Sequence, residues 1–407
     1  MKSSRRRFLQ DGAILTGLVA GTVRSASGQT PGPPGPENPA HRSAGFVSAM
    51  GERSRFEASA RIWSDSSTGR VTSSRTPLQN SKGIITPSML HFERHHARVP
   101  EIDPRRHRLL IHGLVDRPLI FTVAELERLP SISRIYFLEC SGNSRNPRRG
   151  NAETAQQTHG MTSCSEWTGV PLSLLLQEAG VQREASWLVA EGADAAKMTR
   201  SIPLTKAMDD ILVAYGQNGG ALRPEQGYPL RLLIPGWEGN ISIKWLRQIQ
   251  VVDQPYMTRE ETSRYTDLLP DGRARQFTFE MDPKSVITFP SGGGNLPGPG
   301  FYEITGLAWS GRGAIRRVEV STDGGANWQD AQLQEPVLRF AHTRFRFAWK
   351  WDGGEAVVQS RCIDEQGGFQ PTVDELIRVR GTNYNYHHNH IQAWKINRDG
   401  SVRNALV

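Results

Sequence analysis

The chain has 407 residues, enough for two domains of ordinary size, and its content of 37% hydrophobic residues is typical of a globular protein. The 40 glycines and 25 prolines indicate many turns and a β-rich fold. The formal net charge is +8, from 49 Lys and Arg residues against 41 Asp and Glu residues. Arginine far outnumbers lysine, and the sequence shows no nucleic-acid-binding motif. Because guanidinium groups bind oxyanions in bidentate fashion, this composition favours anionic ligands over nucleic acid.

The three cysteines are Cys140, Cys164 and Cys362, and none belongs to a C-x-x-C pair. This spacing excludes a zinc ribbon, a thioredoxin motif and a C-x-x-C-H haem attachment, and the odd number argues against a disulfide framework. We expect Cys164 and Cys362 to be buried and inert, which leaves Cys140 as the candidate for chemistry.

The N-terminus matches a twin-arginine export signal. Ser4-Arg5-Arg6-Arg7-Phe8-Leu9 precedes an apolar run from Ala13 to Val23, which is too short to span a bilayer, and a plausible cleavage site at Ser25-Ala26-Ser27. An ordinary secretory signal or a basic tail is the less favoured interpretation. Because the twin-arginine route carries folded proteins, we expect residues 1–27 to direct a cofactor-loaded protein to the periplasm.

A polar linker and extension follow at residues 28–85, and we expect them to be loosely ordered. The next segment, Leu90 to His96, carries three histidines and an arginine. A metal site there is one interpretation, but without helical spacing or a set of carboxylates an anion clamp is favoured. Arg108 to Val115 alternates as a strand, and Thr122 to Leu129 is predicted to be a short helix with a capping box.

The apolar run Ile135 to Leu138 is predicted to be a buried strand that leads to Cys140 and a Ser-Gly-Asn loop. Arg145, Arg148 and Arg149 follow directly. Nearby positive charge lowers a thiol pKa, so the pattern predicts a Cys140 thiolate, the form that attacks electrophiles or binds metals. The alternative is an inert cysteine on a buried strand.

Short apolar runs continue to about residue 274. They predict a helix at Leu172 to Ala179 ended by Gly180, and strands at Trp187 to Ala190, Ile211 to Tyr215, Tyr228 to Trp237 and Ile249 to Val252. Arg231 interrupts one of these strands. A charge in such a run is costly unless it is paired, so Arg231 is either an anion-binding residue or an exposed strand-edge residue.

The pattern changes near residue 275, where short strands alternate with turns. The predicted strands are Phe277 to Phe279, Ser285 to Phe289, Tyr302 to Trp309, Ile315 to Thr322, Phe345 to Trp349, Glu355 to Ile363 and Leu376 to Val379. The D-G turn at Asp323 predicts a hairpin, and the spacing favours an immunoglobulin-like sandwich over residues 275–382. For the histidine-bearing segment at residues 383–407, a solvated tail is favoured over a metal site or an interaction arm.

Several motifs in this order resemble the sulfite oxidase family of molybdenum enzymes. They are L-H-F-E-R-H-H, V-P-E-I-D-P, F-L-E-C-S-G-N-S-R, Y-P-L-R-L-L-I-P-G-W-E-G-N-I-S-I-K-W-L and S-T-D-G-G-A-N-W, spread over about residues 80–380. The resemblance implies an α+β fold, in which a mixed, β-rich molybdopterin-binding catalytic domain (86–274) precedes an all-β immunoglobulin-like dimerisation domain (275–382).

In that family one pyranopterin dithiolene and one cysteine thiolate hold an oxo-molybdenum centre, and Cys140 matches the metal ligand. The resemblance implies that the cofactor lies against His91, Phe92, Glu93, Arg94, His95, Asp194, Gln226, Arg231, Ser242, Ile243 and Lys244. It implies a substrate pocket formed by Arg94, Arg145, Tyr265 and Arg380. Two positions depart from many relatives: Gln226 replaces a histidine, and Arg94-His95-His96 replaces R-N-H.

The E-C-S-G-N-S-R variant is similar to the sulfane dehydrogenase branch of the family, which acts in periplasmic thiosulfate oxidation. This implies oxygen-atom transfer to sulfane sulfur on a carrier protein, with electrons passed to a separate c-type cytochrome subunit. It also implies a homodimer of this chain within a heterotetramer, with no nucleic acid and no membrane span in the mature form. Three alternatives stay open: a sulfite:cytochrome c dehydrogenase, a sulfoxide reductase, whose relatives lack the sandwich, and a non-enzymatic secreted β-sandwich binding module.

Overall fold

The computed structural model describes residue 54 and residues 56–65, 72–144 and 152–406. The predicted signal peptide, the linker up to residue 53 and the arginines at 145, 148 and 149 lie outside these residues. Ala60–Val407 forms one compact unit. Within the described part of the chain, no helix has the length and the hydrophobicity that crossing a membrane requires.

The first domain is built from short strands with few helices. Its strands are β1 (Ile62–Asp65), β2 (Thr72–Arg75), β3 (Glu93–Arg94), β4 (Arg108–Gly113), β5 (Leu119–Thr122), β6 (Ile132–Glu139), β7 (Thr162–Pro171), β8 (Trp187–Gly192), β9 (Thr199–Pro203), β10 (Leu212–Gln217), β11 (Gly220–Ala221), β12 (Arg231–Leu233), β13 (Leu246–Val252), β14 (Asp267–Leu268) and β15 (Ala274–Arg275). Its helices are α1 (Val123–Leu126), α2 (Ala155–His159), α3 (Leu172–Ala179), α4 (Leu204–Ala207) and α5 (Arg259–Thr262), with 3-10 turns at Leu78–Asn80, Ser88–Leu90 and Pro224–Gln226.

These strands form several separate sheets. One sheet has the order β11-β10-β7-β6, with β12 on β10, and another has the order β5-β4-β13-β8-β9. In the second sheet β4 and β13 are parallel, whereas the neighbouring pairs are antiparallel. The mixed, β-rich architecture predicted from the sequence is therefore confirmed.

Two local predictions in the first domain are confirmed because their signals are local. Helix α3 spans Leu172–Ala179 and ends at Gly180, whose φ of 73° is a conformation that glycine adopts without steric cost. Helix α1 begins after Thr122, whose hydroxyl accepts the backbone N–H of Glu125 while the Glu125 carboxylate accepts the N–H of Thr122. In contrast, the strand predicted for residues 228–237 is only β12, because Pro229 and Pro235 cannot donate to a ladder.

The expectation of a loosely ordered extension is wrong for its described part. Strands β1 and β2 form a three-stranded sheet with β3, and Ser73 and Ser74 pair with Arg94 and Glu93. The Ser74 hydroxyl also accepts the backbone N–H of Glu93 at 3.1 Å. This partner strand lies about twenty residues away in the sequence, so the composition of the extension alone did not indicate the pairing.

The second domain is a sandwich of two sheets. Its strands are β16 (Lys284–Phe289), β17 (Gly300–Trp309), β18 (Ile315–Ser321), β19 (Gln329–Asp330), β20 (Gln332–Gln334), β21 (Thr343–Trp351), β22 (Ala356–Asp364), β23 (Ala393–Ile396) and β24 (Val402–Asn404). The sheet orders are β16-β17-β21-β20 and β19-β18-β22-β23-β24. Inward-facing residues such as Ile304, Val318, Phe345 and Val358 are fully buried and form its core. The predicted immunoglobulin-like sandwich is confirmed.

Two predictions at the C-terminal end are wrong. Residues 376–379 are not a strand but belong to helix α6 (Val373–Arg380), which Thr372 and Glu375 cap with a capping box. Residues 383–407 are not a solvated tail: His387, His388 and His390 are buried, and β23 and β24 extend the sandwich sheet. Trp394 is fully buried and its indole N–H donates to the carbonyl oxygen of Ile287 at 3.0 Å. This tertiary packing outweighs the polar composition of the segment.

Candidate active site

One cleft of the first domain brings together most of the predicted site residues. Its lining includes Cys140, Tyr265 and all of the residues predicted to bind the cofactor, namely His91, Phe92, Glu93, Arg94, His95, Asp194, Gln226, Arg231, Ser242, Ile243 and Lys244. Further lining residues are His96, Leu138, Met198, Gly239, Asn240 and Trp245. Arg145 lies outside the described residues, and Arg380 is not part of this lining.

Cys140 stands directly after β6, in a turn that hydrogen bonds fix. Its N–H donates to the carbonyl oxygen of Met161 at 3.0 Å, and its own carbonyl accepts the N–H of Asn143 at 2.8 Å. Burial raises the pKa of Cys140, and the positive charge of Arg94 opposes this rise without overcoming it. In the surroundings that the structure describes, desolvation of the thiolate outweighs the nearby charge. The predicted thiolate also rests on Arg145, Arg148 and Arg149, which lie outside the described residues, so it stays a prediction. A bound metal ion deprotonates a coordinating thiol by itself.

Two cations line the cleft: Arg231, which is buried, and Lys244, which is partly buried. Arg231 is 3% exposed and donates from Nη1 to the carbonyl oxygen of Gln226 at 3.0 Å and from Nη2 to that of Ser242 at 3.1 Å. Burial lowers its pKa to about 9. Burial and the charge of Arg231 together lower the pKa of Lys244 to about 7. Removing two neighbouring cations from water is costly unless an anion pairs with them, so this arrangement favours an anionic ligand. Arg231 is therefore a buried residue of the cleft and not an exposed strand-edge residue.

Lys244 belongs to a chain of polar contacts that reaches the N-terminal sheet. Its ammonium lies 2.6 Å from His95 Nδ1, and His95 Nε2 lies 2.6 Å from a Glu93 carboxylate oxygen. Glu93 in turn pairs with Arg61. Burial raises the pKa of Glu93, but His95 and Arg61 more than offset this and lower it overall. Glu93 and His95 of the segment at residues 91–96 thus link Lys244 to Arg61.

Unpaired polar atoms also face this cleft. Among the described residues, His91 Nε2 and Arg231 Nε are buried without a hydrogen-bond partner. Burial lowers the pKa of His91 to about 3, so its ring is neutral at pH 7. Gln226 Nε2 donates to the carbonyl oxygen of Phe92 at 2.8 Å, which agrees with its expected hydrogen-bonding role. Such atoms require a ligand that supplies hydrogen-bonding groups.

His96 and Tyr265, which also line the cleft, form a pair that the sequence did not predict. His96 Nε2 lies 2.6 Å from the Tyr265 hydroxyl. Burial and the charge of Arg94 lower the pKa of His96 to about 4, and burial raises that of Tyr265. Both side chains are therefore neutral at pH 7. Arg200, which pairs with Glu238 at 2.9 Å, lies over the Tyr265 ring at 5.3 Å.

The structure does not bring Arg380 to the cleft with Arg94 and Tyr265. Arg380 ends helix α6, and its Nη2 donates to an Asp282 carboxylate oxygen at 2.8 Å. The contact with substrate predicted for Arg380 stays a prediction.

Outside the Cys140 cleft, the described residues offer few candidates for metal binding or thiol chemistry. Among the described residues, no group of three or more histidine, cysteine, aspartate and glutamate side chains is arranged to hold a metal ion. Cys164 and Cys362 are free and fully buried in hydrophobic cores, as expected. Burial raises the pKa of Cys164 to about 12.

The comparison with known proteins places the chain in a family. Residues 96–260 match the oxidoreductase molybdopterin binding domain, and residues 275–394 match the Mo-co oxidoreductase dimerisation domain. Sulfite oxidase of Gallus gallus is 31% identical, over 73% of this chain and 71% of that protein. Mitochondrial sulfite oxidase of Rattus norvegicus is 30% identical over 77% of this chain, and the match spans 62% of that protein. The match with nitrate reductase of Ulva prolifera spans 38% of that protein.

A solved structure is similar over nearly its whole length. The sulfane dehydrogenase SoxCD from Paracoccus pantotrophus has a chain that is 44% identical to this one, with a TM-score of 0.84, and the match covers 91% of this chain and 99% of that chain. The chain therefore belongs to the sulfite oxidase family of molybdopterin-binding oxidoreductases. Its cofactor is molybdenum held by molybdopterin. The residues of the cleft fit this group, because they offer a thiol, a buried and a partly buried cation, and unpaired polar atoms around one space.

Proposed function

We propose that the chain is the molybdenum subunit of a periplasmic sulfane dehydrogenase, which oxidises carrier-bound sulfane sulfur in thiosulfate oxidation. The single observation that carries this proposal is the 44% identity with a chain of a sulfane dehydrogenase over 99% of that chain. The sulfite oxidases above are only 30–31% identical.

Each part of the cleft has a role in this proposal. When bound, the molybdenum–molybdopterin group supplies two-electron oxygen-atom transfer. Cys140 would be the thiolate ligand of the metal, since a soft sulfur donor suits a metal that already carries dithiolene sulfurs. Arg231 and Lys244 would neutralise the anionic end of the cofactor, and His91 and Gln226 would hydrogen-bond its polar ring.

The substrate side would be formed by Arg94, Tyr265 and His96. The Arg94 guanidinium would hold an anionic sulfur group in place, and we assign Arg145, which follows the Cys140 loop in the sequence, to the same task. The hydrogen bond between His96 and Tyr265 would fix the tyrosine hydroxyl in the cleft as a neutral donor. These groups orient the substrate and stabilise negative charge on the transferred oxygen.

Electrons would leave through a separate c-type cytochrome subunit, because this sequence carries no C-x-x-C-H motif of its own. The match of residues 275–394 with a dimerisation domain supports a homodimer, which two cytochrome subunits would extend to a heterotetramer. The twin-arginine motif at residues 4–9 supports export of the folded, loaded protein to the periplasm.

The second candidate is a sulfite:cytochrome c dehydrogenase, which the similarity to sulfite oxidases favours. The two candidates are separated by single-turnover reduction of the molybdenum-loaded protein, with a c-type cytochrome as acceptor. We expect rapid reduction by a carrier protein that bears a persulfide and slow reduction by free sulfite. Rapid reduction by sulfite alone would make the protein a sulfite dehydrogenase.

A further inference from the structure

A buried ion pair joins the sandwich to the residue before Cys140. Glu139 ends β6 and is 0% exposed, and Lys284 begins β16 of the sandwich and is 1% exposed. The Lys284 ammonium pairs directly with a Glu139 carboxylate oxygen. A charged group of the second domain therefore lies next to the loop of the proposed metal ligand.

Two further donors complete the surroundings of this carboxylate. Trp309 of β17 donates its indole N–H to the second Glu139 oxygen at 2.7 Å. Asn143, from the Cys140 loop itself, donates from Nδ2 to the first oxygen at 2.9 Å. The backbone carbonyl of Glu139 is also occupied, because it accepts the N–H of Gly239 at 2.6 Å. Side chain and backbone of Glu139 are thus both fixed, by separate parts of the fold.

The energetics of such a pair favour a positioning role over a stabilising one. The free-energy cost of removing two charges from water is about as large as the free energy gained from their attraction. A buried ion pair therefore contributes little net stability compared with apolar residues of the same size. Its directional bonds nevertheless restrict the Glu139 side chain to one orientation. Since Cys140 is the next residue, this restriction acts on the direction of its thiol.

We propose that Lys284, Trp309 and Glu139 are positioning residues, through which the sandwich holds the Cys140 thiol in the geometry that binds the metal. The proposal rests on the assignment of Cys140 as the metal ligand. It gives the second domain a part in the metal site in addition to dimerisation. Groups that orient a metal ligand in this way typically change metal affinity or activity by about 10- to 100-fold when they are removed.

The test compares four variants in the full-length, cofactor-loaded protein. Lys284→Met leaves the Glu139 charge buried and unpaired, Lys284→Arg keeps a cation, and the double variant Glu139→Gln/Lys284→Met removes both charges. Arg361→Met is the matched control, since Arg361 pairs with Glu319 at 2.6 Å within the sandwich, away from the cleft. The readouts are molybdenum and pterin content, thermal unfolding, and the g-values of Mo(V), generated by titration with a chemical reductant so that no sulfur substrate is needed.

For Lys284→Met we expect a loss of molybdenum content or turnover of about tenfold or more, with partial rescue in Lys284→Arg. The double variant folds and is more stable than Lys284→Met, because no unpaired charge remains, but its Mo(V) g-values differ from those of the wild type. Wild-type g-values and metal content in the folded double variant would overturn the proposal, as would an equal change in Arg361→Met. A wild-type protein that shows the Mo(V) signal but oxidises neither sulfur compound would instead overturn the proposed substrate. In that case the g-values of the variants would still test the positioning role of Lys284, Trp309 and Glu139.

Discussion

His96 and Tyr265 share a hydrogen bond of 2.6 Å, although 169 positions separate them in the sequence. Their rings are nearly parallel, with centroids 6.2 Å apart and an interplanar angle of 16°. Both residues line the cleft that contains Cys140. The tyrosine hydroxyl is therefore held in the cleft by an imidazole that is neutral at pH 7 and adds no charge to the cleft.

Tyr265→Phe removes this hydroxyl and leaves the aromatic ring. We expect kcat/KM for the sulfur substrate to fall by about 100-fold, the loss typical when one preorganised donor is removed from an active site. Molybdenum content should stay at the wild-type level. Steady-state kinetics with a c-type cytochrome measures the effect, with Tyr256→Phe as the control at a tyrosine that is 50% exposed. Equal kinetics of Tyr265→Phe and the control would remove the hydroxyl from the proposed site.

Arg231→Lys should reduce retention of the cofactor. The guanidinium reaches two backbone carbonyls, of Gln226 and Ser242, and one ammonium group cannot reproduce both contacts while facing the cleft. Hydrogen bonds to charged groups contribute about 1.5–3 kcal/mol, so we expect about 10- to 100-fold weaker binding of the cofactor. Pterin content after dialysis measures this. Arg247→Met, at an exposed residue paired with Glu191, is the control and should keep its pterin.

Lys244 makes the stability of the cofactor-free protein depend on pH. Burial lowers its pKa to about 7 in the folded chain, whereas the ordinary value is 10.5. Between these values the unfolded chain binds more protons than the folded chain, so the free energy of unfolding rises with pH. Below pH 7 both states carry the proton and this contribution is constant.

Chemical unfolding of cofactor-free protein at pH 7 and pH 9 tests this dependence. Lys244→Met should lose the part of the rise that Lys244 causes, whereas Lys395→Met, at a side chain that is 43% exposed, should keep it. A bound anionic cofactor pairs with the ammonium and should flatten the rise in the wild type. The same pH dependence in Lys244→Met and the wild type would show that this lysine is not desolvated.

Gly239→Ala probes how closely the Cys140 loop is packed. A Cβ atom at Gly239 would lie 2.7 Å from the carbonyl oxygen of Glu139, so the loop has to move. We expect a destabilisation of about 1–3 kcal/mol and lower molybdenum content. Gly83→Ala is the matched control, because a Cβ atom there meets no atom within 4 Å. Thermal unfolding and metal analysis of both variants decide the point.

The parts of the fold that the sequence predicted well depend on local signals. The Gly180 helix end and the Thr122 capping box need only neighbouring residues, and most strands of the sandwich follow from alternation and turns. The strand predicted for residues 277–279 is wrong, because no strand lies between β15 and β16, a stretch that the structure describes in full. The residues predicted to bind the cofactor were chosen through motifs, and all of them line one cleft.

The features that the sequence did not predict depend on distant contacts. The Glu139–Lys284 pair joins residues that are 145 positions apart. The segment with His387, His388 and His390 is polar in composition, yet the fold buries these side chains. The desolvation that raises the pKa of Cys140 among the described residues is a further such feature, because charge is visible in a sequence whereas burial is not.

The most direct test of the account is X-ray absorption at the molybdenum edge, on the wild type and Cys140→Ser prepared with equal molybdopterin content. We predict that the variant keeps its fold and its pterin, loses one sulfur ligand of molybdenum and loses turnover. Cys164→Ser should keep the wild-type spectrum, since its thiol is buried in a hydrophobic core. An unchanged number of sulfur ligands in Cys140→Ser would contradict the assignment of this cleft as the metal site.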